Sequence, residues 1–399
     1  MKNQRLKASY SAARMLKFPK TLFGGDSKIE PAAQFLPEHV VSSELAGGPD
    51  LLLISEHLNA TYYLSFLFPV EQWARRAGIK MSVFSQKELA TRARAFGQGF
   101  LEGLISTVKP DLVVLSRCST AESLHLVECA ASAGIPTLYH IDDDLLAITD
   151  HLGDSIQKTH GRPDVVEIRR KAMRAVDLVY ASTNRLRSRL QEHLPGLEVI
   201  SGRIYAPFMR HLIEPSIIQQ GPAVTIGYMG SKGHQADLEL VVPALDQLLK
   251  SNVNMRFETF GTIKMPEQLL GYSKQIAAHS VKKDYLGFLA HLSSLGWSVG
   301  LAPLQDTVFN RCRAPTKFVE YTACGIYTIA SDVMVYEEVV KPGSGRLAGP
   351  DQWKVVLEQT LNDAAEIKEG RLSAEQYCRE NFSLQALSLQ IEDIFGALL

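Results

Sequence analysis

The residues best suited to chemistry crowd into one stretch. Asn310, Arg311, Arg313, Thr316, Lys317 and Glu320 lie between two apolar runs, Trp297 to Leu304 and Tyr327 to Ala330. The first run has the content of a buried strand and stops at Pro303. Gln305 to Ala314 is polar and reads as a loop. Pro315 to Ala323 reads as a short helix, with proline in its tolerated first turn and Gly325 beyond its end. Cations beside a helix N-terminus suit an anion such as phosphate, because free amide N–H groups and the helix dipole add to their charge. Glu320 falls about one turn farther along, where a carboxylate can accept from two hydroxyls while the anion sits at the helix start. The bland use of the same glutamate is an ion pair with Lys317 at i, i+3.

Two other groups carry chemistry. Gly230-Ser231-Lys232-Gly233-His234 is a glycine-bounded turn after a strand. Its spacing is not that of a dinucleotide fingerprint. It serves either as a phosphate-approach loop, with Lys232 adding charge, or as a plain tight turn. Gly261 ends the next strand in the same way. Earlier in the chain, Arg117 follows one strand, and His140-Ile141-Asp142-Asp143-Asp144 ends another. Three adjacent carboxylates repel, which favours a cation, a basic partner or simple solvation. His57 and Tyr62, after the first strand, either face a cleft or pack against the sheet.

These positions need strand ends to hold them, and the pattern supplies strands. Apolar runs at Asp50 to Ile54, Lys80 to Phe84, Asp111 to Ser116, Pro136 to Ile141, Leu178 to Ala181 and Leu197 to Ser201 alternate with periodic helices. Ala223 to Met229, Met255 to Phe260 and Val281 to Leu286 repeat the alternation. Such alternation predicts an α/β chain of two Rossmann-like parallel sheets. The expected division is a basic arm and lead-in loop over 1–48, a first domain over 49–205, a proline-punctuated hinge over 206–222, a second domain over 223–380, and a final amphipathic helix over 381–399.

Bulk composition narrows the function classes. The chain of 399 residues is long enough for two cores. Lys+Arg is 42 and Asp+Glu 43, so no global charge bias points to nucleic acid. Five cysteines lack paired metal-ligand spacing and suit a reducing, cytoplasmic setting. No apolar run reaches the roughly 20 residues of a membrane span. The first 25 residues are basic, with no acid before Asp26. They are either a peripheral arm for an anionic membrane surface or a terminal segment with solvated charges.

The stretch from Trp297 to Asp332 resembles the donor-binding motif of GT-B glycosyltransferases, most closely glycosyltransferase family 4. The matching residues are Ala302-Pro303-Leu304, Phe309-Asn310, Lys317 to Tyr321, Gly325 and Ser331-Asp332. The resemblance implies two domains facing a central cleft, with the last helix crossing back to the first. It implies a transferase that moves a sugar from a nucleotide-diphosphate sugar to a glycan, lipid-linked saccharide or protein, in the setting of polysaccharide synthesis. Retained anomeric configuration and no metal cofactor are expected. Glu320 stands where the family holds the ribose hydroxyls. A second glutamate usually lies eight positions earlier and contacts the donor sugar; here that position is Cys312. The basic residues that usually grip the diphosphate are replaced near Ser231 and Ala236-Asp237, so Lys232, His234, Arg311, Arg313 and Lys317 are candidates to compensate. The implied donor set is Gly230, Ser231, Lys232, His234, Gly261, Asn310, Arg311, Arg313, Thr316, Lys317 and Glu320. His140, Asp142, Asp143 and Lys317 are the catalytic candidates, and His57, Tyr62, Arg117 and Asp144 the acceptor-side ones. The rival readings are a nucleotide-sugar epimerase of the same fold and an inactive GT-B binding module.

Overall fold

The computed structural model describes residues 33–97, 99–148, 154–210, 224–281 and 284–399. The basic arm lies outside them, as does most of the expected hinge. Two sheets organise the chain. The first has seven strands in the order β1-β3-β2-β4-β5-β6-β7. These are β1 (His39–Val41), β2 (Asp50–Ser55), β3 (Lys80–Ser85), β4 (Leu112–Ser116), β5 (Thr137–Ile141), β6 (Leu178–Ala181) and β7 (Val199–Ser201). The second has six in the order β10-β9-β8-β11-β12-β13. These are β8 (Val224–Gly230), β9 (Met255–Gly261), β10 (Ile276–His279), β11 (Val299–Ala302), β12 (Tyr327–Ser331) and β13 (Arg346–Ala348). All pairings are parallel except β1 on β3.

The inner strands are apolar on both faces because helices cover both. Every residue of β4, β5, β6, β11 and β12 is buried. The strand order reverses at β2 in one sheet and at β8 in the other, so a crevice opens at the carboxyl ends of neighbouring strands. β2 lies between β3 and β4, with Leu53 level with both Val83 and Val114. β8 lies between β9 and β11, and Gly230 is level with Gly261.

The last helix, Leu384–Gly396, is capped by Ser383 and packs on the helix Phe68–Ala77 of the first domain. Trp73 and Phe395 meet at 6.1 Å between ring centroids. Ser388 Oγ donates to the Pro69 carbonyl at 2.8 Å, and Arg76 pairs with Glu392 at 3.0 Å. Burying Leu387, Ile391 and Phe395 contributes roughly 1.5–3 kcal/mol each. The C-terminal end of the chain thereby clamps the two domains together.

Several expectations need correction. His39–Val41 is a strand rather than part of a loop; it closes the open edge of β3 and is too short to show alternation. The strand expected at Val281 to Leu286 falls instead at Ile276–His279. Asp284 caps a helix, Tyr285–Ser294, by accepting from the Gly287 N–H at 2.8 Å. The helix before β4 is two helices, parted where Gly97 and Gly99 take φ of 76° and 90°. The helix after β2 begins at Ala60, capped by Asn59, and continues through a π-helical turn at Tyr63–Leu67 to Ala77.

Candidate functional site

The loop after β11 is pinned before it delivers its charges. Leu304 N–H donates to Ser331 Oγ at 2.8 Å, and Gln305 N–H to Asp237 Oδ1 at 2.9 Å. Thr307 caps a short helix, Val308–Arg311. Asn310 is buried and braces the loop from within, donating to the Gln305 carbonyl at 2.9 Å. Arg311 turns outward into a two-pronged pair with Asp306, at 2.6 Å on each prong. Neither residue lines the cleft, which corrects the expectation for both. Arg313 turns inward. With Thr316, Lys317 and Glu320 of the helix Thr316–Ala323, it lines a cavity of about 470 Å³ between the domains.

The strand ends of β8 and β9 form the adjoining floor. Gly230, Ser231, His234, Gly261 and Thr262 line the same cavity. Gly261 takes φ of 115°, and a Cβ there would stand 2.4 Å from the Gly230 carbonyl oxygen. That oxygen accepts from the N–H groups of Thr262 and Ile263, both at 3.1 Å. The Lys232 side chain is exposed and does not line the cavity, so the charge expected of it comes from Arg313 and Lys317 instead.

Three titrating groups here are shifted toward neutrality. Burial, then the neighbouring Arg313, lowers the Lys317 ammonium to about 8. Its Nζ stands 5.7 Å from the centre of the Tyr228 ring, and among the described residues no carboxylate lies within ion-pair reach of it. Burial raises the Glu320 carboxyl to about 7, against the opposing pull of Tyr285 and Lys317. Tyr285 Oη donates to Glu320 Oε1 at 2.7 Å. Lys317 and Glu320 are therefore not a closed ion pair, and among the described residues the second carboxylate oxygen takes no hydrogen bond. Burial, Lys317 and Arg313 together lower His234 to about 3, so its ring is neutral at physiological pH.

The first domain supplies the facing wall with Ala60, Thr61, Leu64, Ser65, Asp142, Asp143 and Ser182. Asp142 accepts from Thr61 Oγ1 at 2.8 Å and pairs with Arg117; Asp143 lies 3.2 Å from the same arginine and 3.3 Å from Arg313. The basic-partner reading of the acidic run thus holds. Arg117 holds both aspartates from behind and carries φ of 60°, rare for a residue with a side chain. Its other anchor is Glu56, at 3.0 Å.

Other expected residues lie elsewhere. His140 is buried in the sheet core, bonded to Ser116 Oγ at 3.1 Å and packed edge-on to Phe66. Burial, then Arg117, lowers it to about 3. Asp144 is buried between Arg189 and His193, at 3.2 and 3.1 Å. Tyr62 is buried against His39, and the exposed His57 does not line the cavity. Cys312 does not either: it is 3% exposed and packs with the first domain's core.

Three residues carry the site without having been expected: Glu56, Arg169 and Tyr285. Arg169 is fully buried and lies 3.4 Å from Glu56, and His160 lies 3.3 Å from the same carboxylate. Burial alone would raise the Glu56 carboxyl, but His160, Arg117 and Arg169 outweigh it and hold it at about 2. A signal existed in the glutamate directly after a buried strand, but its arginine partners stand 61 and 113 residues away.

No protein-family model matches the chain, and a search of curated proteins finds no match. Solved structures do match. HepE from Anabaena, in complex with UDP and glucose, superposes with a TM-score of 0.63 at 14% identity, covering 88% of this chain and 100% of that one. Sucrose-phosphate synthase from Thermosynechococcus elongatus gives 0.61 at 12%, over 88% and 99%. A putative UDP-N-acetylglucosamine 2-epimerase from Listeria monocytogenes gives 0.53 at 10%, over 88% and 96%. At such identities the likeness establishes the fold: the chain has the GT-B architecture of two Rossmann-like domains about a cleft.

Proposed function

We propose that the chain is a glycosyltransferase whose donor is a nucleotide-diphosphate sugar. The observation that carries this is the placing of Arg313, Lys317 and Glu320, from one loop and helix, on one wall of the cleft opposite Asp142 and Asp143. The diphosphate lies at the start of the Thr316–Ala323 helix against Lys317 and Arg313. The ribose meets the free oxygen of Glu320, and the base lies toward Val281 and Phe288. Departure of the nucleotide breaks the bond from the anomeric carbon to phosphate oxygen, and the electron pair leaves with the phosphate. The two cations stabilise that charge, while the aspartates face the positive character growing on the sugar. The acceptor hydroxyl oxygen bonds to the anomeric carbon, and its proton passes to the departing phosphate. Retention of configuration, no metal cofactor, and a glycan, lipid-linked or protein acceptor remain part of the proposal. So does membrane association: no described helix is long and apolar enough to cross a membrane, and a surface contact would rest on the basic arm.

The test is calorimetric binding of UDP, GDP and dTDP, followed by turnover of the matching sugar donors with and without acceptor. UDP comes first, because the HepE complexes hold it. Lys317→Ala and Glu320→Ala should each weaken nucleotide binding about tenfold or more, by loss of hydrogen bonds to charged groups. Parent-like binding in both variants refutes the site. Isomerisation of the donor sugar without acceptor favours the epimerase reading, and binding of no nucleotide favours a non-catalytic module.

A further inference from the structure

A second cavity, of about 200 Å³, opens beside the first and shares Ser182, Tyr205 and Arg313 with it. Both domains line it. Arg185 and Arg203 come from the first, Arg311 and Arg313 from the second, and Glu338 is the sole carboxylate among the described lining residues. Two of the four guanidinium groups are already engaged: Arg311 by Asp306, and Arg313 by Asp143 and His234. The other two form no ion pair among the described residues, though Arg185 acts on Asp306 at longer range. Among the described residues, neither Arg185 nor Arg203 has a carboxylate within ion-pair reach, and both side chains are exposed to solvent.

The two uncommitted arginines are held on firm backbone. Arg185 lies in the first turn of the helix Asn184–His193. The cap of that helix, Thr183, accepts from Leu186 N–H at 3.2 Å and donates its hydroxyl to the Cys312 carbonyl at 2.8 Å, tying the helix start to the loop of the other domain. Arg203 follows Gly202, where a Cβ would stand 2.1 Å from Gln390 Nε2. Gln390 of the returning helix accepts from the N–H groups of Arg203 and Ile204 at 2.7 and 2.9 Å. Guanidinium groups spaced about a small cavity at a helix start match a phosphate, whose oxygens accept paired N–H bonds.

We infer that this arginine vestibule binds a phosphate carried by the acceptor, so that the transferase glycosylates a phosphorylated substrate. The inference rests on the donor reading above for its reaction, but not for its binding site. The vestibule holds the phosphate beside the cleft, and the hydroxyl to be glycosylated reaches past Tyr205 and Arg313 to the donor sugar. No bond to the phosphate is made or broken there. The phosphate sits on either a small molecule or a lipid headgroup, and both present the same oxygens.

The experiment compares the parent with the Arg185→Ala/Arg203→Ala double variant in four titrations: UDP, inorganic pyrophosphate, glucose 6-phosphate, and phosphatidylcholine vesicles doped with phosphatidic acid. The pyrophosphate and sugar-phosphate titrations are repeated with UDP present. Binding of pyrophosphate, glucose 6-phosphate or the doped vesicles is expected in the parent, weakened about tenfold or more in the variant, with UDP binding unchanged. The soluble arms and the vesicle arm tell a small phosphorylated acceptor from a lipid one. Both side chains are exposed, so the variant is expected to fold; its melting temperature checks this. Equal phosphate binding in parent and variant, or none in the parent, overturns the inference. A variant that loses UDP as strongly as pyrophosphate also overturns it, because the phosphate would then occupy the donor cleft. A parent that binds no nucleotide refutes the donor reading, while its phosphate titrations still decide the vestibule.

Discussion

Arg313 Nε stands 3.3 Å from Asp143 Oδ1 across the cleft, so a cation from the second domain is held by an acid from the first. The same guanidinium donates to His234 Nε2 at 3.2 Å. That nitrogen can accept because the ring is neutral, and the Nδ1–H on its other side donates to Asp237 Oδ2 at 2.9 Å. A diphosphate entering the cleft competes with Asp143 for Arg313. Arg313→Ala should therefore weaken nucleotide-diphosphate binding about tenfold or more. Asp143→Asn should tighten it a few-fold, because a negative charge near the phosphates is removed, while turnover falls. Calorimetry on the two variants checks this, and weaker binding in Asp143→Asn sinks it.

Nucleotide affinity should depend on pH at both ends. Below about 7 the Glu320 carboxyl gains its proton and stops accepting from both ribose hydroxyls, so affinity falls as pH drops. Above about 8 the Lys317 ammonium loses its charge, so affinity falls again as pH rises. Bound phosphate favours charged Lys317, which moves the alkaline limb upward in the complex. Glu320→Gln should remove the acid limb and Lys317→Met the alkaline one. A parent-like pH profile for both variants rules out the assignment. Glu320→Gln should also raise the melting temperature of the unliganded protein above pH 7. A carboxyl whose folded value lies above its unfolded one loses stability as pH rises from about 4.5, and the amide does not.

Glu56 should govern acid stability. Its carboxyl is held at about 2, against an ordinary 4.5, so its contribution is full above pH 4.5 and is lost as pH falls toward 2. The size at neutral pH is about 3 kcal/mol. Glu56→Gln should cost at least that much, since it also leaves Arg169 buried beside an uncharged partner. It should lower kcat more than it changes nucleotide affinity, because Arg117 then loses its brace against Asp142 and Asp143. Urea unfolding at pH 7 and pH 3.5 reads the stability part. Equal losses at both pH values would falsify it.

How far the sequence showed this arrangement follows from how each signal is encoded. Leu51 to Ile54 and Leu112 to Leu115 are continuous apolar runs because parallel strands are buried on both faces, and such runs stand out in the sequence. Lys317 and Glu320 were legible because helix spacing sets the carboxylate about one turn beyond the cation, and Arg313 because it stands in the polar loop just before that helix. Asp142 to Asp144 were legible only as a charged run. Their separate fates depend on Arg117 and Arg313 for the first two, and on Arg189 and His193 for Asp144, all brought in by tertiary contacts. His140 misled because a histidine at a strand end is equally compatible with the cleft and the core, and the choice rests on the packing of Phe66 and Tyr180. Arg169 gave no signal, since one arginine in the basic run Arg169-Arg170-Lys171 looks solvated until Glu56 lies against it.

Cys312 offers the sharpest test of the cleft's wall. Restoring an acid at this position would, on the resemblance alone, improve sugar contacts. The geometry predicts the reverse. Cys312 is 3% exposed and packs with the first domain's core; burial, then Asp144, opposes a negative charge there, and Arg189 and Arg185 offset this only in part. Cys312→Glu should therefore destabilise the protein by about 3 kcal/mol or more, through a larger, charged side chain forced into a packed core. Cys312→Ser, nearly the same size, should cost less. Neither should raise the turnover of a sugar donor, because the side chain faces away from the cavity lined by Lys317 and Glu320. Thermal melts and donor turnover on the pair decide it. A Cys312→Glu protein that melts like the parent and turns over donor faster would mean the loop reorients in the working enzyme, and the wall described here would have to be redrawn.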